Sequence, residues 1–174
     1  YYIGRAYATK LLSLKKNKMI VGYDNRLSSP IIEKNLVKGL TDGGVDVVRL
    51  GLVTTPMYYY AWDKLNIHCG IMITASHNPK EYNGFKMSYN GIHNCFGNEV
   101  AELYYIILNG IYSKGNGSIT DANIKEDYIK MINSHINMGS NKLKVIYDCG
   151  NGTTSIVAKD TFVSNDNIEY IPLF

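Results

Sequence analysis

The chain has 174 residues, of which 45% are apolar and 19% charged, with a formal net charge of +3. That length holds one core of ordinary size, or one domain and part of another, and the composition reads as a soluble globular chain. Lys15, Lys16 and Lys18 make a short solvated cluster rather than a basic block, which argues against nucleic acid as a partner. No apolar run approaches the roughly 18 residues that span a membrane, and no signal peptide is legible. Cys69, Cys95 and Cys149 are odd in number and far apart, with no CxxC or Cys/His ligand spacing. They argue against zinc and fit free thiols in a reducing cytoplasm. The chain does not begin with Met and closes on IEYIPLF, so both ends read as cut from a longer protein.

Ile3, Tyr7, Leu11 and Leu14 recur at helical spacing and predict a helix over residues 2–16. Met19–Tyr23 reads as a strand, followed by a polar loop over residues 24–29. Ser29-Pro30 is a helix-start signal, with Ser29 as N-cap and proline in the first turn. Ile32, Leu36 and Leu40 form the buried stripe of that helix, and Gly43-Gly44 ends it. Val45–Leu50 is a second strand. Thr55-Pro56 repeats the start signal for a helix to about Leu65, with Met57, Tyr60 and Ala61 facing inward; the Tyr58–Tyr60 run reads as packing. Cys69–Ile73 is a third strand and Phe85–Tyr89 a fourth. The Asn90-Gly91 turn signal favours an antiparallel fourth strand. Asn98–Leu108 is a helix with Val100, Leu103, Tyr104 and Ile107 apolar.

The composition then shifts. Ser113–Thr120, SKGNGSIT, is polar and glycine-rich and reads as a linker. Asp121–Ile136 is an amphipathic helix and Leu143–Asp148 a strand. Gly150-Asn151-Gly152 turns into a helix from about Thr153, and Glu169–Phe174 is a last strand. Strands separated by helices imply βαβ units with right-handed connections. The expected fold is α/β: a three-layer α/β/α domain with a mixed, mostly parallel sheet over residues 1–119. An incomplete second α/β unit over residues 120–174 follows it.

The stretch Thr74–Lys86, TASHNPKEYNGFK, carries the most chemistry. A buried strand that stops in a Ser-His-Asn-Pro loop puts a hydroxyl, an imidazole and an amide at the carboxyl end of a sheet, where open α/β sheets bind ligands. Pro79 fixes its own φ and pushes Asn78 out of helical geometry. Taken singly, Ser76 would be a loop or cap residue and His77 a neutral loop histidine. Lys86 would be a solvated strand lysine, on the other face from Phe85. Arg26 would pair with Asp24 or cap a helix. His68, His93 and His135 have no partners in sequence and read as structural.

The thirteen residues together resemble the phosphoserine loop of the α-D-phosphohexomutases, the phosphomannomutase/phosphoglucomutase family. IGRAY (Ile3–Tyr7), VGYDNRLSSP (Val21–Pro30), the run Gly39–Tyr60 and VIYDCGNG (Val145–Gly152) resemble family segments in the same order, so the resemblance covers essentially the whole chain. It implies that Ser76 carries a phosphoryl group, donates it to a hexose phosphate and recovers the other phosphoryl group from a bisphosphorylated sugar. It implies His77 and Lys86 beside the reacting oxygens, Lys86 as proton shuttle or charge stabiliser, and Arg26 and Asn78 as supports of loop and substrate. It also implies Mg²⁺, with the phosphate on Ser76 as one ligand, and a glucose 1,6-bisphosphate-type activator. Where family members often carry Arg, this chain has Tyr23, so that cation is not carried over.

Phosphoryl transfer asks for positioning and charge neutralisation, and a serine hydroxyl needs a neighbouring base. Mg²⁺ asks for carboxylate oxygens. No DxD-type cluster occurs: Asp24, Asp42, Asp46, Asp63 and Asp148 are isolated. The resemblance places the metal loop, the sugar-recognition loop and a phosphate-binding loop beyond Phe174. Two readings therefore stand: part of a phosphohexose mutase, or a non-catalytic phosphosugar-binding module without turnover. A Ser-His hydrolase is disfavoured, since adjacent residues on an extended segment point apart and no Gly-x-Ser-x-Gly elbow occurs. In DCGNGTTS, Ser155 stands where a dinucleotide fingerprint has its third glycine, so a nucleotide site is a weak reading. YNGFK resembles the phosphomannomutase/phosphoglucomutase branch more than the phosphoglucosamine branch, with mannose versus glucose open.

Overall fold

The computed structural model describes residues 1–174 apart from Ile92, Met138, Ser164 and Phe174. Phe174, which closes the expected last strand, therefore lies outside the described residues. The elements run α1 (Tyr2–Ser13), β1 (Lys18–Tyr23), α2 (Ser29–Asp42), β2 (Asp46–Leu52), α3 (Thr55–Leu65), β3 (Gly70–Ile73), β4 (Phe85–Ser88), α4 (Asn98–Leu108) and β5 (Ile119–Asp121). There follow α5 (Lys125–Ser134), β6 (Leu143–Asp148), α6 (Ser155–Val163) and β7 (Ile168–Leu173). The chain folds as two compact units, Tyr1–Ala122 and Asn123–Phe174. Among the described residues no helix is long and apolar enough to cross a membrane.

The first unit is built on a five-stranded sheet in the order β4-β3-β1-β2-β5. All neighbours are parallel except β3 and β4, which pair antiparallel with Ile73 opposite Phe85 and Met72 opposite Lys86. The interior strands β1 and β3 are buried along almost their whole length, as a parallel sheet covered on both faces requires. The chain moves from β1 through α2 to β2, then back through α3 to β3 on the other side of β1. Both connections being right-handed, α2 and α3 lie on opposite faces, giving the three layers. Met19, Val21, Ile71 and Ile73 form one core with Tyr7, Leu11, Leu36 and Leu40 of α1 and α2. Ile20 and Met72 alternate to the other face, the side of the buried Met57, Tyr58, Ala61 and Trp62 of α3.

Two glycines let α1 and α2 approach backbone to backbone. A Cβ at Gly4 would overlap the Leu36 carbonyl oxygen, and one at Gly39 the Tyr1 carbonyl oxygen. Close helix packing of this kind tolerates no side chain.

The helices start on the Ser-Pro and Thr-Pro signals, so the N-cap positions fall one residue earlier, at Ser28 and Thr54. Thr54, extended at φ −78° and ψ 156°, caps α3 and accepts from the Met57 N–H at 3.3 Å. Ser28 precedes α2 in helical geometry and makes no side-chain cap. Ser29, expected as the cap, is fully buried and donates instead to Asp24 Oδ1 at 3.0 Å. In α3 the inward residues are Met57, Tyr58, Ala61 and Trp62, with Tyr60 only partly covered. In α4 they are Leu103 and Ile106, while Val100 and Tyr104 are exposed. Met57, Ala61 and Leu103 are buried as expected and Ile107 packs partly against the core; the buried stripe is wider in α3, taking in Tyr58 and Trp62, and shifted toward Ile106 in α4.

β4 is antiparallel as expected, but the reversal is made by residues 74–84 rather than by Asn90-Gly91. The latter closes a bridge from Asn90 to His93. The stretch expected as a linker is tied to the first unit. Ser113 N–H donates to Thr9 Oγ1 at 2.9 Å, Gly115 N–H to the Asp42 carbonyl at 3.1 Å and Gly117 N–H to the Thr41 carbonyl at 2.9 Å. Ile119–Asp121 then joins the sheet beside β2, where Arg49 holds Asp121 in a two-point ion pair of 2.8 and 3.1 Å. The glycines here serve contact rather than flexibility, for a Cβ at Gly117 would overlap the Val45 backbone. With Ile119–Asp121 in a strand, the helix expected from Asp121 begins at Lys125.

In the second unit β6 and β7 pair in parallel, from Leu143 opposite Ile168 to Asp148 opposite Leu173. The Phe162 ring of α6 lies 5.1 Å from that of Tyr147 and 5.5 Å from that of Tyr170. Lys125 of α5 pairs with Asp160 of α6 at 2.7 Å.

Candidate functional site

The carboxyl ends of β1 and β3 are neighbours, and the loops that leave them do so in different directions. This is the switch point at which open α/β sheets form a crevice. The β1 loop supplies Asp24 and Arg26, and the β3 loop supplies residues 74–84. The two are joined at their base by the Asp24 N–H, which donates to the Ile73 carbonyl at 3.0 Å.

Arg26 sets the conformation of the β3 loop. Its Nη1 donates to the carbonyls of Pro79 (2.6 Å) and Tyr82 (3.0 Å), and its Nη2 to those of Ser76 (3.0 Å) and Asn78 (2.9 Å). Its Nε meets Asp24 Oδ2 at 3.2 Å. The planar fork thus converts four loop carbonyls, which would otherwise need water, into one rigid arrangement. The Arg26 side chain is 10% exposed. Of the two single-residue readings of Arg26, pairing with Asp24 is the one the structure shows, and the same side chain holds the carbonyls of the loop instead of a helix end. Asn78 enters through its main chain, with its carbonyl on Arg26 and its N–H on the Ala75 carbonyl at 3.0 Å.

Ser76 sits at φ +53°, in the left-handed region that a side chain other than Gly, Asn or Asp rarely adopts. Its N–H donates to Thr74 Oγ1 at 3.0 Å, and Thr74 N–H donates to the Gly84 carbonyl at 2.9 Å, closing the loop. The expectation that Ser76 and His77 point apart is overturned by this turn. It brings Ser76 Oγ to 3.1 Å from His77 Nδ1, with both side chains in solvent. The hydrolase reading does not gain from it. Among the described residues His77 meets no carboxylate, and that chemistry needs a third group to orient the imidazole.

Lys86 follows on β4, opposite Met72 and on the other face from Phe85, as alternation predicts. It is half-buried, yet makes no hydrogen bond or ion pair among the described residues. Of these two cations, Arg26 is wholly engaged and Lys86 keeps its donor capacity.

Sequence reasoning missed Asn83. Its Nδ2 donates to Ser28 Oγ and Ser29 Oγ, both at 3.0 Å, and its Oδ1 accepts from the Gly84 N–H at 2.9 Å. Asn83 therefore joins the end of the β3 loop to the start of α2. Its presence in the YNGFK motif was the available signal. Tyr23 ends β1 with its phenol held above its ordinary pKa, first by burial and then by the Glu33 carboxylate, with Arg49 opposing.

The described residues do not fit a Mg²⁺ ion by themselves. They contain no group of three His, Cys, Asp or Glu able to hold a metal. The carboxylate beside the loop, Asp24, is engaged by Arg26 and Ser29. Ser76 Oγ, or a phosphate on it, would offer oxygen ligands without carboxylate partners.

Comparison with known proteins gives a consistent picture. Residues 1–110 match the family described as phosphoglucomutase/phosphomannomutase, alpha/beta/alpha domain I. A phosphomannomutase/phosphoglucomutase of Pseudomonas syringae is 42% identical over 159 residues, covering 91% of this chain and 34% of that protein. A phosphoglucomutase of Neisseria meningitidis is 38% identical over 154 residues, covering 87% of this chain and 33% of that one. The crystal structure of a phosphoglucomutase/phosphomannomutase family protein from Burkholderia thailandensis superposes with a TM-score of 0.90 at 32% identity. It covers 99% of this chain and 39% of that chain. The chain spans about a third of the length of the curated relatives it matches.

Proposed function

Because the chain belongs to the phosphoglucomutase/phosphomannomutase family, we propose that it carries the phosphoryl-accepting serine of a phosphohexose mutase, and that this serine is Ser76. The observation that carries the reading is the loop itself. A serine held at φ +53° by four carbonyl contacts from a single arginine is presented to solvent with an imidazole on its hydroxyl.

In the loading step Ser76 Oγ bonds to the phosphorus of a hexose bisphosphate, and the bond from that phosphorus to the sugar oxygen breaks. The hydroxyl proton passes to His77 Nδ1, and the Lys86 ammonium donates a proton to the departing sugar oxygen. The reverse step, at the other end of a hexose monophosphate, yields a bisphosphorylated sugar. Reorientation of that sugar lets Ser76 recover the second phosphoryl group, so that phosphate moves between C1 and C6. Most of the acceleration in such a transfer comes from positioning and charge neutralisation, which the fixed loop and the free Lys86 cation supply. The family reading brings Mg²⁺ to the phosphate on Ser76 as a charge-neutralising ion. The described residues contain no carboxylate cluster that would hold it.

The test is direct. Incubation with glucose 1,6-bisphosphate should add one phosphoryl group to the intact mass, and Ser76→Ala should abolish the addition. A phosphoryl group that maps to another residue while Ser76 stays unmodified would overturn the assignment. A second reading, a phosphosugar-binding module without turnover, is favoured for these 174 residues taken alone. They span about a third of the relatives and hold no carboxylate cluster among the described residues. Phosphoryl uptake without conversion of glucose 1-phosphate or mannose 1-phosphate is the expected result for the chain by itself.

A further inference from the structure

Each carbonyl that Arg26 draws in turns an N–H outward. The peptide bonds are planar and trans, so a carbonyl points away from the N–H of the residue that follows it. Arg26 holds the carbonyls of Ser76, Asn78, Pro79 and Tyr82. The N–H groups of His77, Lys80 and Asn83 therefore face away from it; the residue after Asn78 is Pro79, which has none. These three N–H groups meet no acceptor among the described residues. Other amides of the loop are spent. Ser76 N–H is on Thr74 Oγ1, Asn78 N–H on the Ala75 carbonyl and Tyr82 N–H on the Pro79 carbonyl, each at 3.0 Å.

Of the three free amides, that of His77 adjoins the hydroxyl. Ser76 and His77 are the central pair of a turn closed by Asn78 N–H on the Ala75 carbonyl, with a positive φ at Ser76 alone, the type II′ pattern. The nearest alternative donor for a phosphate on Ser76, the serine's own N–H, is held by Thr74 Oγ1. Ser76 Oγ leans instead toward His77, 3.1 Å from Nδ1. We infer that the His77 main-chain N–H binds a phosphoryl oxygen of the group on Ser76, and is thereby a catalytic group of the site. The inference rests on the reading of Ser76 as the phosphoryl acceptor. A serine phosphate carries about −1.5 to −2 charges at pH 7 and three acceptor oxygens. Arg26 has no donor left for them, its Nε, Nη1 and Nη2 being taken by Asp24 and the four carbonyls. It does hold the other end of the same peptide, and a hydrogen bond to a carbonyl strengthens the N–H of that peptide as a donor. The guanidinium thus acts on the phosphoryl group through the Ser76–His77 peptide. The fixed N–H holds one phosphoryl oxygen while the bond from Oγ to phosphorus forms and the bond from phosphorus to the sugar oxygen breaks. A donor placed in advance where charge develops is the arrangement of an oxyanion hole.

Nuclear magnetic resonance of the whole isotope-labelled chain, before and after incubation with glucose 1,6-bisphosphate, tests the inference, with the phosphorylated residue mapped by mass spectrometry. On phosphorylation the His77 amide should shift downfield further than any other amide of residues 74–84. It should exchange more slowly with solvent and show scalar coupling to phosphorus across the hydrogen bond. The shift should grow as the phosphate gains its second charge, around a pKa of about 6. Lys80 and Asn83, turned outward by the same arginine but farther along the loop, are the controls and should move little. For the transfer itself, an ester in place of the His77 peptide bond removes the N–H and keeps the imidazole. Labelling of Ser76 should then slow by about 10²-fold. The same replacement at Lys80 also weakens a carbonyl of the Arg26 fork and should slow labelling far less. A phosphoryl group on another residue would overturn the Ser76 reading and this inference with it. Phosphorylated Ser76 with the His77 amide unmoved, coupling of phosphorus to the Ser76 amide instead, or equal slowing by the two esters would overturn this inference alone.

Discussion

Arg26 Nη2 donates to the main-chain carbonyl of Ser76 at 3.0 Å, across 50 residues of sequence. The contact is to the peptide and not to the hydroxyl, so Arg26 acts on the serine by fixing the backbone that carries it. Arg26→Ala leaves four carbonyls without their donor and Asp24 Oδ2 without its cation. It should cost about 2–4 kcal/mol of stability in urea denaturation. Arg26→Lys should recover little of this, since a point ammonium cannot span four acceptors. Phosphoryl uptake at Ser76 should fall with both. Full stability in Arg26→Lys would show that the fork geometry is not what holds the loop.

The left-handed conformation of Ser76 leads to a second expectation. Gly at this position removes the Cβ strain of about 1 kcal/mol that φ +53° imposes on serine. Part of the gain is offset by the greater freedom of glycine in the unfolded chain. Ser76→Gly should therefore be at least as stable as the parent in thermal melts, while accepting no phosphoryl group. Ser76→Val, β-branched at a positive φ, should be destabilised by more than 1 kcal/mol or so. If both variants melt alike, the strain is not stored at this residue.

The sheet was legible because its strands are short, apolar and bounded by polar turns: Met19–Val21 and Ile71–Ile73 have no alternative but burial. The motif Thr74–Lys86 was legible as a unit, and its antiparallel return through Lys86 followed from alternation. What escaped was tertiary. Ser76 beside His77 depends on one positive φ, and sequence alone assigns adjacent side chains to opposite sides. Asn83 bridging Ser28 and Ser29 depends on a contact across more than fifty residues. The glycines of residues 115–117 looked like flexibility and turned out to be close packing on Gly44 and Val45, because composition does not distinguish an absent Cβ that frees the chain from one that admits a neighbour.

Glu33 gives the pH prediction. It is 8% exposed on α2, and its Oε1 meets no hydrogen-bond donor among the described residues. Burial raises its carboxyl above the usual range; the Arg49 cation opposes this and Asp121 adds to it. A carboxyl raised in the folded state contributes stability that is fully present below its unfolded pKa of about 4.3 and is lost as pH rises through the folded value. Glu33→Gln removes that loss. The variant should be the more stable one at about pH 7, with the advantage shrinking toward about pH 4. Asp42 and Asp121, lowered by Lys38 and Arg49 respectively, change in the opposite sense and are common to both proteins, so the difference isolates Glu33. Equal urea midpoints at both pH values would remove Glu33 from the account.

Lys86 separates stability from chemistry. It makes no hydrogen bond or ion pair among the described residues, so nothing in the fold depends on its ammonium. Lys86→Met keeps the length of the aliphatic stem and removes the charge, and should change stability by less than about 0.5 kcal/mol. If Lys86 protonates the departing sugar oxygen, the rate of phosphoryl transfer to Ser76 should fall by about 10²-fold or more. Lys86→Arg should restore charge without the same ability to give up a proton, and so should bind the sugar phosphate while transferring slowly. A rapid-quench measurement of Ser76 labelling, with binding followed separately, distinguishes these effects. Loss of binding with an unchanged transfer rate would make Lys86 a phosphate anchor instead of a proton donor. Loss of stability in Lys86→Met, which keeps the stem, would mean that the fold itself depends on the ammonium.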